Sequence, residues 1–427
     1  MKTTARFLFC AGFAASTPLV HAQSAEGLSF FHRDWELACD NTRTCRAAGY
    51  QDDDDELAVS VLLTRVAGPG VAVTGEVMLG NYFEIEAVDA LPAEFEISLQ
   101  IDGQAVGAVP MSRDSLLADM STAQVSALLD ALTRDSTIEW VAGGTSWTLS
   151  DSGSTAVLLK MDEFQGRLDT PGALVRKGTR DESEVLPPVA VPVVSAADLA
   201  DPRAGDDQFI ASGAIALQNA LRSTLEDPYD CPSLTEEGEP EFQARRLTDS
   251  QMLVSVPCTL GAYNETIGYW VVADEDPYEP RLITTQGSNH DDGNIHASNK
   301  GRGLGDCWSL DRWTWDGERF VHSAASTTGM CRGIAPGGAW SLPTLTMNIE
   351  SPAASREVNL RRPLARALPS RAGGHRKRDP SPTLMAVASV IVLTVINYGP
   401  VRIIKGSDEA GRRPPRFTVP MCQSATT

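Results

Sequence analysis

Seven consecutive positions crowd together side chains that can do chemistry. His290, Asp291, Asp292, Asn294 and His296 place two imidazoles, two carboxylates and an amide in one short stretch. Oxygen ligands beside neutral imidazoles can hold a divalent cation, and an imidazole next to a carboxylate can move a proton. One expectation is therefore a metal-assisted hydrolase using His290, Asp291 and His296. The spacing departs from a calcium loop, which sets its ligands at alternate positions ahead of a glycine. The plainer expectation for the same stretch is a solvated polar loop.

Downstream, Lys300-Gly301-Arg302-Gly303-Leu304-Gly305 joins two cations to glycines, a composition that offers backbone N–H groups and positive charge to an anion. It lacks the GK[ST] ending of a Walker loop. Trp313 and Trp315 follow in an aromatic run that turns at Asp316-Gly317 ahead of Phe320. A polar loop joined to a rigid hairpin is a favourable platform for binding, so the segment from Gln286 to Trp315 is the expected contact region. Lys300, Arg302, Trp313 and Trp315 are its candidate binding residues, with an anionic group as the contact. The competing reading makes the glycines a tight turn feeding Cys307 and the two tryptophans core.

Cys307, in Gly305-Asp306-Cys307-Trp308, has only a superficial likeness to a thiol-protease flank, and no GxSxG elbow supports a serine hydrolase. Of eight cysteines, Cys10 lies in an apolar N-terminal stretch and Cys422 in a basic tail. The other six read as three disulfides, and sequence locality favours Cys39 with Cys45, Cys231 with Cys258, and Cys307 with Cys331. No CxxC or HxxxH pair supports zinc, and no cofactor is implied.

The elements that must position these residues sit in an acidic, exported body. Lys2 and Arg6 precede an uncharged stretch from Phe7 to Val20, and Val20-His21-Ala22 follows, which is the layout of a signal peptide over residues 1–22 cleaved near Ala22. The expected location is periplasmic or secreted. Of the formal net charge of −20, residues 351–427 contribute +9 and residues 1–22 contribute +2, leaving −31 for residues 23–350. Such a body repels phosphate backbones, which excludes nucleic acid as a partner. With 42% hydrophobic and 22% charged residues, the chain can bury a core and is neither disordered nor polytopic.

Its 427 residues suggest two domains. Strands are expected over 35–39, 57–65, 74–79 and 94–101, with a hairpin at Asp102-Gly103 and another at Gly143-Gly144. Ser121 and Gln124 make a capping box ahead of Val125, Leu128, Leu129 and Leu132, and a second short helix covers 156–164. The run VLPPVAVPVV reads as a stiff, extended linker over 185–204. It separates an N-terminal β-rich domain (23–184) from a C-terminal one (205–350), which opens with a helix over 209–225 and continues in strands. The expected fold class is β-rich α+β, two sandwich-like domains of antiparallel sheet with one or two short helices each, stapled by disulfides.

Residues 351–427 change character. They are rich in arginine and proline and contain an apolar heart, Leu384 to Ile396, of 13 residues. That is short of the roughly 20 a spanning helix needs, so the tail reads as a non-native extension or as a weak membrane anchor over 384–401.

Three sets of segments carry a resemblance. DWELACDNTRTCRAAGY (34–50), LLKMDEFQGR (158–167) with TPGALVRKG (170–178), and NKGRGLGDC, WTWDGERF, MCRG and GGAW within 299–340 together resemble the exported bacterial family called domain of unknown function 1176. The likeness spans about residues 30–344. It implies an exported protein with no assigned activity. The first domain is also distantly similar to invasion-associated locus B proteins, and that similarity carries no catalytic residues across. The functional expectation is an exported, envelope-associated binding or structural module, its partner an envelope component or anionic ligand. The alternatives are the hydrolase above and a tail-anchored envelope structural protein.

Overall fold

Short-range signals set the local elements. Asp102 and Gly103 take positive φ values of 52° and 74°, the left-handed pair that a two-residue hairpin needs, and they join strands Glu94–Ile101 and Gln104–Ser112. Helix Thr122–Ala131 starts at Ser121 with the capping box complete, each side chain bonding the other's backbone N–H. In the computed structural model the described residues are 27–351, apart from Glu84 and 236–239. The expected signal peptide, its cleavage point and the basic tail with its 384–401 run lie outside them.

The N-terminal half pairs two antiparallel sheets. Six strands run in the order Leu28–His32, Trp35–Cys39, Cys45–Tyr50, Val59–Arg65, Thr74–Leu79, Leu117–Asp119. Four run in the order Thr145–Leu149, Ile138–Ala142, Glu94–Ile101, Gln104–Ser112. Trp35, Leu37, Leu63, Val77, Ile97, Leu99, Trp140 and Trp147 meet between them, and helices Thr122–Ala131 and Ser154–Phe164 add Leu128, Val157 and Met161. The six-stranded sheet is buried on its other face too. Ala38, Ala48, Tyr50 and Leu62 pack there against Ile334, Ala339, Trp340 and Leu342 from the end of the body. Double burial explains why Val59 to Leu63 is buried without a break.

Hydrogen bonds fasten the same seam. Glu36 Oε1 accepts from the Tyr50 hydroxyl at 2.6 Å and from the Met330 N–H at 2.7 Å. Arg332 pairs with Asp34 at 2.8 Å, and Trp340 Nε1 donates to Ser60 Oγ at 2.7 Å. Asn41 and Thr346 exchange two bonds. Segments that carried the family resemblance thus meet in space.

In the C-terminal half, strands Gln243–Arg246, Gln251–Leu260, Glu265–Ala273 and Arg281–Gly287 form one antiparallel sheet. One face takes Leu217 and Leu221 of helix Asp206–Arg222 against Val254, Val256 and Trp270. The other presents Leu253, Tyr269 and Val271 to Ile295, Trp315 and Phe320 of a five-stranded antiparallel sheet. That second sheet comprises Asn289–Asp291, Asn294–Lys300, Trp308–Trp315, Phe320–Thr327 and Leu342–Thr346.

All three expected disulfides are formed: Cys39 with Cys45, Cys231 with Cys258, and Cys307 with Cys331. Three details differ from expectation. Val193–Ser195 pairs in parallel with Asn348–Glu350, so the sheets are not all antiparallel. Helix Asp206–Arg222 has 17 residues and is not short, because Leu217 and Leu221 recur on one face over a buried sheet. The stretch 290–296 is a β-hairpin, because Asp292 and Gly293 adopt positive φ of 40° and 79° and reverse the chain in two residues. The proline-rich segment is extended but fastened: Val189 N–H donates to Thr42, Ala196 to Glu350, Ala197 to Trp315 and Ala200 to Leu247. The described residues fall in one compact unit.

One charged cluster is sealed inside the N-terminal half. Asp162, fully buried, accepts from the N–H groups of Leu174 and Val175 at 2.6 and 3.2 Å and lies 3.5 Å from Arg65 Nη1. Arg65 also donates to the carbonyls of Val71 and Gly172. Arg167, fully buried, donates to Gln165 and to the carbonyls of Val66 and Gly68, with Glu182 3.9 Å from its Nη1. Burial first, and Arg167's like charge second, bring the Arg65 pKa down to about 10, so it stays charged at neutral pH.

Candidate functional site

Residues directly opposite on paired strands, and residues two apart along one strand, share a face. Gln243, Ser255 and Tyr269 form one row across three strands, and Arg245 lies opposite Leu253 in the next. Leu253 and Tyr269 belong to the core between the two sheets, so this is the inner face. Together with Ile267 and with Ser288, Asn289 and His290 at the start of the second sheet, these residues line a cleft of about 310 Å³.

Hairpin register aims His290 into it. His290 pairs with Ile295, which is fully buried, so the two share the inward face. The imidazole centroid lies 6.4 Å from the Tyr269 ring and 6.3 Å from that of Phe320. Its Nε2 is shielded from solvent and has no hydrogen-bond partner among the described residues. The indole nitrogens of Trp140, Trp147 and Trp315 share that condition, but those residues sit in the cores and do not line this cleft.

Burial, and after it the charge of Arg245, depresses the His290 pKa below the ordinary imidazole range, against the opposing pull of Asp291 and Asp292. The ring is therefore neutral at neutral pH. Burial pushes the Tyr269 hydroxyl up to about 12, so it keeps its proton and remains a donor. Arg245 is half-buried and lines the cleft, and its guanidinium has no ion pair or hydrogen bond among the described residues. The arrangement offers one permanent cation, a neutral imidazole and several neutral amide and hydroxyl groups, a combination suited to holding an anion.

The residues singled out from sequence are distributed differently. Asp291 and His296 meet, with Oδ1 3.0 Å from Nε2, on the face opposite His290, and Asn294 lies beside them accepting from the Thr314 hydroxyl at 2.9 Å. Strand alternation keeps the expected trio His290, Asp291 and His296 from converging. Among the described residues the cluster close enough to hold a metal ion is Asp306, Cys307 and Cys331, and its two sulfurs are bonded to each other.

The four candidate binding residues have separate partners. Lys300 Nζ sits 5.3 Å from the centroid of the Trp308 ring. Arg302 grips the buried carboxylate of Asp306, which also accepts from the Gly333 N–H at 2.8 Å. Trp313 stacks on His322 at 4.8 Å, and His322 bonds Asp311. Trp315 is fully buried in the core between the sheets.

Sequence reasoning missed Arg245, Gln243, Ser255 and Tyr269. The one available signal was alternation: Gln243 and Arg245 are two apart, as are Leu253 and Ser255, and Ile267 and Tyr269.

Fold and site together define a class: a β-rich, disulfide-stapled protein with a polar cleft where two of its sheets meet. The chain belongs to the family described as protein of unknown function DUF1176, which matches residues 29–347. It is similar to the uncharacterized protein YpfG of Escherichia coli (strain K12), with 27% identity over 323 residues, covering 69% of this chain and 87% of that protein. No solved structure matches.

Proposed function

We propose that the protein is an exported, envelope-associated binding module that takes an anionic ligand in the cleft beside Arg245. The observation that carries the reading is the unpaired guanidinium. In a body of net charge −31, carboxylates are abundant, yet this half-buried arginine faces neutral groups. Buried or half-buried charge without a partner is costly, and a ligand that supplies the counter-charge removes that cost.

Export is supported by three disulfides, which persist in oxidising compartments. Among the described residues no helix is long and apolar enough to cross a membrane. The hydrolase reading loses its support, since His290 faces away from Asp291 and His296.

Thermal melting in an anion panel (acetate, glucuronate, phosphate and sulfate) at constant ionic strength tests the proposal. A ligand that binds only the native state raises Tm in a saturable way. The expected result is a saturable rise with at least one anion in the parent and none in Arg245→Ala. General salting-out would raise both proteins alike, and equal rises throughout would sink the reading.

A further inference from the structure

We infer that this cleft selects the carboxylate of a small polar molecule over a phosphate dianion. The inference rests on the anion-binding reading above and narrows it to a chemical class.

Charge counting is the first step. Arg245 is the one lysine or arginine among the ten lining residues, and no lining residue is acidic. The other nitrogen base, His290, is held neutral by burial and by Arg245, while Asp291, Asp292 and His296 are the remaining titratable groups that act on it. One cation balances one negative charge. A dianion would leave one charge unmatched, in a site where the carboxylates acting on His290, those of Asp291 and Asp292, are themselves negative.

Geometry is the second. A guanidinium fork matches the two coplanar oxygens of a carboxylate in a bidentate pair. The remaining polar side chains on the inward face of the lining are neutral: the Gln243 amide, the Ser255 and Ser288 hydroxyls, and Tyr269. These suit hydroxyl and amide substituents of the same molecule and supply nothing for a second anionic oxygen beyond neutral hydrogen bonds. At about 310 Å³ the cleft is at the small end of ligand sites, so the ligand is of sugar-acid or amino-acid size.

The test compares three probes that share one ring: glucuronate, glucose 6-phosphate and glucose. Each is titrated at pH 8 into the isotope-labelled full chain, following the Arg245 side-chain N–H and the His290 ring signals. Glucuronate is expected to bind at least tenfold more tightly than either other probe. Arg245→Ala should weaken it at least tenfold, with Arg245→Lys between the two, because lysine keeps the charge and loses the fork. Circular dichroism checks that both variants stay folded. Tighter or equal binding of glucose 6-phosphate overturns the carboxylate inference and leaves the anion cleft standing. If neither anion moves the Arg245 and His290 signals, or glucose binds as well as glucuronate, both fall.

Discussion

Arg65 and Arg167 in the N-terminal half are buried and Arg245 in the C-terminal half is half-buried, but only the first two are answered by protein groups. Asp162, Glu182, Gln165 and four backbone carbonyls surround that pair. Arg245 has a cleft in front of it and neutral side chains around it. A folded chain with surplus acid can pair any arginine it needs for structure. The contrast teaches that a matched buried charge reads as a fastening, whereas an unmatched one at a cleft reads as a place for something else.

The largest effect that would sharpen this contrast is removal of Asp162. Asp162→Ala strands Arg65 and two backbone N–H groups, and breaking such a buried pair costs about 3–5 kcal/mol. A urea titration should show the midpoint falling steeply. A loss below about 1 kcal/mol would mean that the cluster is not a fastening and would erase the contrast.

Next in size is the Cys307–Cys331 bond, which spans 24 residues and ties the glycine turn to the segment that carries Met330 and Arg332. Replacing both cysteines with serine should lower stability by about 2–4 kcal/mol. Amide exchange should quicken first around Met330 and Arg332. Unchanged exchange there would show that the seam holds without its disulfide.

A smaller effect belongs to pH. The His290 pKa is depressed in the folded state, so the unfolded chain binds the proton more readily. Its contribution to stability is complete above the unfolded imidazole value of about 6.5 and is lost as pH falls through the depressed folded value. His290→Gln should therefore flatten the decline of the urea midpoint between pH 7 and pH 5 relative to the parent. Parallel declines in the two proteins would place His290 in a water-like setting.

The smallest stability effect is expected at Arg245 itself. Arg245→Ala should shift the unfolding free energy by no more than about 0.5 kcal/mol, in either direction, since no intramolecular bond is lost. A loss comparable to that of Asp162→Ala would break the comparison and make Arg245 a structural residue.

Much of the fold was legible where its cause is local. Asp102-Gly103, Gly143-Gly144 and the Ser121–Gln124 box are instructions confined to four residues, and each acts as read. The disulfides were legible because each pair spans fewer than 30 residues. Strand Gln243–Arg246 was not anticipated, because a polar four-residue strand exists only through its partner at 251–260. Asp292-Gly293 carries a hairpin signal as clear as Asp102-Gly103, but polar residues on both sides hid the alternation that normally confirms it. At the site, Ser288, Asn289 and His290 fall within the segment expected to make contact, whereas Arg245 does not. Its place follows from register, and register is a property of two strands at once.

The seam between the six-stranded sheet and residues 330–346 has a consequence for how the chain is built. Trp340 meets Ser60 across 280 positions, and Thr346 meets Asn41 across 305. The strands of the N-terminal sheet come first in the chain, yet the residues that cover one of its apolar faces lie almost at the end of the body. Contacts this distant in sequence slow folding and prolong the exposure of sticky surface. Until residues 330–346 dock, Ala38, Ala48, Tyr50 and Leu62 have no cover on that face, so the order of the chain itself leaves this surface for last.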